Sequence, residues 1–183
     1  MPVTINGTSG LVTATTFSGS SLSGIDTGRI LQVKQATKTD TASLTSTTFT
    51  DITDFTQTIT TVAGSKVYAV GSFYLGAASA YNAFLRLVRV DADGSTNYPY
   101  LGDASGTAFR ASAGALCGYY NYGNMNSGFS FLDTPSGAGT HTYKVQWRAG
   151  YSSSTIYLGR VDYGIYDSTG LVPSSFTLME VAA

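Results

Sequence analysis

Pro173-Ser-Ser-Phe-Thr-Leu-Met-Glu-Val-Ala-Ala183 decides how the rest of this sequence is read. In an extended chain successive side chains point to opposite faces. Phe176, Leu178 and Glu180 then share one face, and Ser175, Thr177, Met179 and Val181 the other. The chain stops almost as soon as this alternation does. Free ends fray unless they are tied down, so a strand in this position is expected to lie within a sheet.

Working outward, the same period recurs. Lys66–Leu75 alternates most strongly, with Val67, Ala69, Gly71, Phe73 and Leu75 on one face and Tyr68, Val70, Ser72 and Tyr74 on the other. Thr140–Arg148 puts His141, Tyr143, Val145 and Trp147 together. Arg29–Lys38 carries Leu31 and Val33 on one side. Phe49, Ile52 and Phe55 lead into the weaker alternation of Phe55–Ile59. Tyr81–Val90 is mixed, because Arg86 and Arg89 have opposite parity. Shorter candidates are Tyr98–Leu101, Leu116–Tyr120, Phe129–Leu132 and Thr155–Val161. Ala63–Lys66 and Asp91-Ala-Asp-Gly94 read as turns, and Asp133–Gly139 as a loop. About nine or ten short strands separated by turns indicate an all-β, antiparallel β-sandwich of jelly-roll-like type.

Composition agrees. Charged residues make up 11% of 183, against roughly a quarter in average domains. Glu180 is the lone glutamate, so helix surfaces lack their usual furnishing. Tyr, Phe and Thr, abundant here, suit pleated surfaces. A surface this poor in charge is either a Ser/Thr-coated sheet or one that neighbouring subunits cover. The net charge of −1 provides no electrostatic footprint for nucleic acid or an anionic membrane. No apolar run approaches the length of a spanning helix, and no signal-peptide pattern opens the chain. Membrane insertion is not expected, and synthesis is expected in a cytoplasm. A single cysteine, Cys117, forms no intrachain disulfide and reads as a small buried hydrophobe.

Residues 1–28 stand apart from the β-rich remainder, 29–183. Val3, Ile5, Leu11, Val12, Phe17, Leu22 and Ile25 are too sparse among Gly, Ser and Thr to bury one another. The segment is either a flexible leader or an extended arm that packs against copies of itself or a partner. Fully extended, it reaches on the order of 80–90 Å.

Catalytic chemistry is not expected. Nucleophilic or metal-assisted hydrolysis needs a base beside a nucleophile, or several ligands around one ion. His141 is the only histidine, and its strand face marks it as a packed or interface residue. Asp91 and Asp93 belong to a turn, and Asp51 and Asp54 read as solvated loop groups. Ser136-Gly-Ala-Gly139 lacks the lysine and helix start of a phosphate cradle. No cofactor or metal is implied. The remaining constellation is Tyr98, Tyr100, Tyr119, Tyr120, Asn121, Tyr122 and Asn124, with Asn126 beside it. Tyrosine offers large contact area at low entropy cost and asparagine adaptable hydrogen bonds, which suits glycan or protein recognition. The same tyrosines could equally pack between sheets or subunits.

Ile5-Asn-Gly-Thr-Ser-Gly-Leu-Val-Thr-Ala-Thr-Thr-Phe-Ser-Gly-Ser-Ser-Leu-Ser-Gly-Ile25 resembles the shaft-like segments of bacteriophage tail-fibre proteins. Arg29-Ile-Leu-Gln-Val-Lys-Gln-Ala-Thr-Lys-Thr-Asp40, Phe131-Leu-Asp-Thr-Pro135, Thr142-Tyr-Lys-Val-Gln146 and Phe176-Thr-Leu-Met-Glu-Val-Ala182 are similar to the globular module that often follows. The resemblance implies a homotrimer whose strand order is like that of tumour-necrosis-factor-type jelly rolls. It implies a virion location, as a short tail fibre or receptor-binding module. The shaft-like part begins at Met1, with no attachment domain before it, so a capsid decoration (cement) protein is the alternative. The partners implied are the chain itself, tail or major capsid proteins, and a host surface glycan.

Overall fold

The computed structural model describes residues 28–77, 81–117, 124–162 and 170–183. The arm positions Val3, Ile5, Leu11, Val12, Phe17, Leu22 and Ile25, and Tyr119, Tyr120, Asn121 and Tyr122, lie outside them. Among the described residues there are strands and turns and no helix. The strands are β1 (Ile30–Lys38), β2 (Ala42–Leu44), β3 (Thr50–Thr61), β4 (Lys66–Ala77), β5 (Tyr81–Val90), β6 (Thr96–Asn97), β7 (Ala113–Cys117), β8 (Met125–Asp133), β9 (Gly139–Ala149), β10 (Ile156–Leu158) and β11 (Ser174–Val181).

They form two antiparallel sheets. In the first, β11 lies between β1 and β4, β8 flanks the other edge of β4, and β10 and β2 extend the sheet beyond the end of β11. In the second, β9 lies between β3 and β5, and β6 and β7 share the far edge of β5. Inward residues of both sheets merge into one apolar core. The protein is therefore an antiparallel β-sandwich, and the alternation that marked β4, β9 and β11 as half-buried strands is the one observed.

The middle of the core is aromatic. Phe176 of β11, Gly71 of β4 and Phe129 of β8 stand side by side on one inward row. A Cβ at Gly71 would lie 2.3 Å from the Phe73 ring, so the absent side chain is the space into which that ring folds. Phe73 then meets Phe129 at 5.7 Å and, across the sandwich, Phe55 of β3 at 5.3 Å. Phe129 meets Phe176 edge-on at 6.2 Å. Tilted and edge-to-face pairs of this kind add to simple area burial.

Several local expectations are corrected. Ile52 and Phe55 are both buried although three residues apart, which strict alternation forbids. A bulge between Asp51 and Thr56 restores the face, with Asp54 in the left-handed region at φ 77°. Asp51 and Asp54 are accordingly strand residues, not loop groups, and Asp54 bonds the buried Lys38 Nζ at 2.8 Å. Val33 does not enter the core: a bulge between Ile30 and Gln32 and the edge position of β1 leave it 53% exposed. Residues 98–101 are not a strand, because pairing with β5 ends at Asn97 and Tyr100 adopts φ 58°. Asp133 and Gly139, expected in a loop, terminate β8 and begin β9.

Gly71→Ala is expected to lower stability in urea unfolding by about 1–3 kcal/mol through overpacking. Thr58→Ala, on an exposed outward position, should stay within about 0.5 kcal/mol.

Candidate functional site

The interior changes character along its length. At the end holding Leu75, Ala77 and Ala83 it is apolar. At the other end, Glu180 and Asp133 flank Val67 on the inner face of the first sheet. Opposite them the alternation of β5 carries Ala83, Leu85 and Leu87 inward and then, at the next inward position, Arg89. A buried guanidinium is tolerated only when paired and hydrogen-bonded.

Arg89 meets that demand twice over. Its Nη1 donates to Asp133 Oδ2 at 2.6 Å and its Nη2 to Asp91 Oδ2 at 3.1 Å, and its Nε lies 2.8 Å from Asp91 Oδ1. Tyr143 donates its hydroxyl to Asp133 Oδ2 at 2.7 Å, and Asn97 Nδ2 donates to Asp91 Oδ2 at 2.7 Å. His141 Nδ1 lies 2.8 Å from Asp91 Oδ1 and its Nε2 3.3 Å from Gly137 O. Both partners of the imidazole, Asp91 and the Gly137 carbonyl, are acceptors. His141 and Asp91 are fully buried, with side chains at 0% exposure, and the Arg89 guanidinium bridges Asp91 to Asp133.

Burial pushes the Asp91 carboxyl up, but the Arg89 guanidinium and the hydrogen bonds from His141 and Ser136 outweigh it and hold the group below the usual carboxylate range. Burial and the Asp133 carboxylate push the Tyr143 hydroxyl well above its ordinary value. Glu180, 2% exposed, accepts from Gln32 Nε2 at 2.7 Å and Val62 N–H at 2.8 Å. Burial raises it too, and these donors bring it down overall.

A general base needs a lone pair within reach of substrate. Here His141 is engaged by Asp91 and the Gly137 carbonyl, and Asp133 by Arg89 and Tyr143, inside the sandwich. The arrangement fastens the end of β5 and β9 to β8 across the two sheets. Cys117 cannot join it. Cys117 pairs with Tyr81 at one end of β5 and Thr142 with Val90 at the other, which separates the thiol from His141 by about 30 Å. Burial pushes that thiol up to about 11. Among the described residues no group of three or more His, Cys, Asp or Glu is placed to hold a metal ion.

The Tyr/Asn set is dispersed. Tyr98 lies over the outer face of the second sheet, its ring 4.4 Å from the Arg86 guanidinium, which also meets Phe49 at 4.1 Å. Tyr100 stacks on Phe131 at 4.4 Å and donates its hydroxyl to Leu132 O. Asn124 bonds Gly170 O at 3.4 Å, at the start of β8 and thus about 26 Å along the strand from Leu132. Asn126 points out of the first sheet to Ser72 Oγ at 2.8 Å.

Around Tyr98 the structure assembles a cluster that pattern reading missed. Arg148 covers Phe109 at 3.6 Å, and Phe109 meets Phe84 edge-on at 4.7 Å. Arg86 donates to Gln146, whose amide donates to Asp51, which also pairs with Lys144 at 3.1 Å. Tyr98 and Phe109 remain 46% and 41% exposed. The legible signal was outward parity, which Phe84, Arg86, Gln146 and Arg148 share on two paired strands. Phe49 and Phe109 come from loops and carry no such mark.

No family model matches the chain, and no curated protein matches it. Among solved structures, a chain from the structure of infectious bursal disease virus, Gx strain, aligns at a TM-score of 0.43 with 15% identity. The alignment covers 94% of this chain and 42% of that one, so this chain spans less than half its length.

The depressed Asp91 and Glu180 values set an acid limb. Their contribution is complete above the unfolded carboxylate range of about 4 and is lost as pH falls through the lower folded values. Asp91→Asn, which leaves Arg89 half-paired, should cost about 3–5 kcal/mol at pH 7 and flatten that limb, as read by urea unfolding from pH 7 to 2.

Proposed function

We propose that this chain is a phage virion structural protein that works by assembly and adhesion, as a homotrimeric short tail fibre or receptor-binding module. The observation that carries the reading is the shaft-like run Ile5–Ile25 leading directly into an all-β sandwich. The sandwich is of jelly-roll type in this reading. Its support is the order of the long strands, β1-β11-β4-β8 facing β3-β9-β5-β7, in which successive long strands alternate between sheets except at β5 and β7, which pair within one sheet, in the manner of paired Greek keys. The residues 1–28 form the arm, and threefold repetition gives avidity to individually weak contacts. Its place is on the particle, its partners are tail or capsid proteins, and no bond-breaking step is assigned to it.

The exposed rings of Tyr98 and Phe109, held by Arg86 and Arg148, are the surface we assign to a host glycan. Flat aromatic faces beside polar groups such as Asp51, Gln146 and Lys144 suit the alternation of apolar and hydroxylated faces on a sugar ring. Capsid decoration is the second reading, favoured by the seven dispersed apolar residues of the arm, Val3 to Ile25, which suit a segment laid over neighbouring subunits.

Light scattering of the purified chain should give three times 19.1 kDa; a clean monomer contradicts the assembly. Counting copies per particle separates the readings, a few dozen at most for a fibre and hundreds for decoration. For the fibre, Tyr98→Ala with Phe109→Ala should reduce adsorption to host cells at least tenfold while leaving the mass unchanged. Undiminished adsorption removes the glycan assignment.

A further inference from the structure

The two outer faces of the sandwich differ in a way that overall composition does not explain. The outer face of the second sheet displays Asp51, Arg86, Lys144 and Arg148. On the outer face of β1, β11, β4 and β8, Lys66 is the only Lys, Arg, Asp or Glu. Register instead places Val33, Met179, Tyr68 and Leu132 side by side, one from each strand. Ile30 beside Val181, and Val70 on the next row, widen this band. It is open in the single chain, Ile30, Val33 and Leu132 being 54%, 53% and 44% exposed.

An antiparallel sheet with one face in water puts polar side chains on that face. A full-width apolar band with charge confined to its rim is the composition of an interface core. Four strands at this spacing offer a face of roughly 20 Å by 25 Å. In projection that is about 500 Å², the greater part of the roughly 800 Å² which one partner of a stable complex buries. With no charge to match, the face does not select an acidic or basic partner. It fits two further copies of this chain around a threefold axis, since all three turn apolar rows toward the axis and no like charges meet at the centre. The outside chain enters at this place as well: residues 1–27 run into Gly28, two residues before Ile30 at the edge of the band. Copies packed on this face would bring their arms together there.

We infer that the outer face of β1-β11-β4-β8 is the subunit interface of the assembly, with the band Val33–Met179–Tyr68–Leu132 at its centre. This rests on the trimeric reading above, and the test separates the two. Met179→Lys and Leu132→Lys should shift the full-length protein from three times 19.1 kDa to 19.1 kDa with its β-sheet circular dichroism retained, while Thr58→Lys on the other sheet should leave the trimer intact. Val33→Cys gives a milder probe, because Cys117, the only native thiol, is buried. Its maleimide labelling should be at least tenfold slower in the assembly than that of Thr58→Cys. A trimeric wild type with trimeric lysine variants, or with Val33→Cys labelled as fast as Thr58→Cys, overturns the interface and leaves the trimer standing. A monomeric wild type overturns both. In that case, a gain in apolar dye binding on removing residues 1–27 would identify the chain's own arm as the occupant.

Discussion

The structure depends on one constraint: the Phe73 ring has to lie over position 71, and only glycine leaves it room. From that placement Phe73 reaches Phe55 of the opposite sheet and Phe129 of its own, and Phe129 reaches Phe176. Four strands, β3, β4, β8 and β11, thus meet through a single aromatic stack. Interiors are packed as densely as organic crystals, so a methyl group at 71 is felt by every member. Glycine in a strand is ordinarily a weakness. Here the Phe73 ring, with Phe129 of β8 beside it, fills what it leaves, and the position becomes the one around which the sheets are registered.

Polarity inside the sandwich is concentrated at one end, apart from Lys38 of β1, which pairs with Asp40 and Asp54. Arg89, Asp91, Asp133, His141 and Glu180 gather at one end, and every one of them finds a partner across strands or sheets. Such networks contribute less to net stability than an apolar core would, and they penalise misalignment heavily. Sliding β5 by one residue would turn Arg89 out of its carboxylate pair and Arg86 into the apolar core. The polar end therefore acts on register, and the aromatic middle on cohesion.

Much of this was legible in the sequence where one rule acted alone. β4, β9 and β11 obey strict alternation and fold as their patterns indicate. Legibility failed where two rules met. Ile52 and Phe55 have incompatible parity until a bulge intervenes, and the bulge needs Asp54 in a backbone region that its carboxylate secures through Lys38. Arg89 broke the pattern of β5, and its reason lay in Asp133, 44 residues away. The aromatic–guanidinium cluster is drawn from four separate segments, at Phe49, Phe84–Arg86, Tyr98 and Phe109, with Arg148 from a fifth, and periodicity within one segment is blind to such a meeting.

The position of β11 has a consequence for how the molecule is made. It pairs with β1 on one side and β4 on the other, and Gln32 bonds Glu180 across 148 residues of sequence. During synthesis, β1 and β4 emerge long before the strand that joins them, and their open edges wait in the meantime. Long-range pairing of this kind slows folding and leaves unpaired edges available to the wrong neighbour. For nascent chains crowded on one message, the same delay lets an unfinished sheet accept a β11 from a sibling, so exchange of this strand between copies is the characteristic error to which the topology exposes the protein.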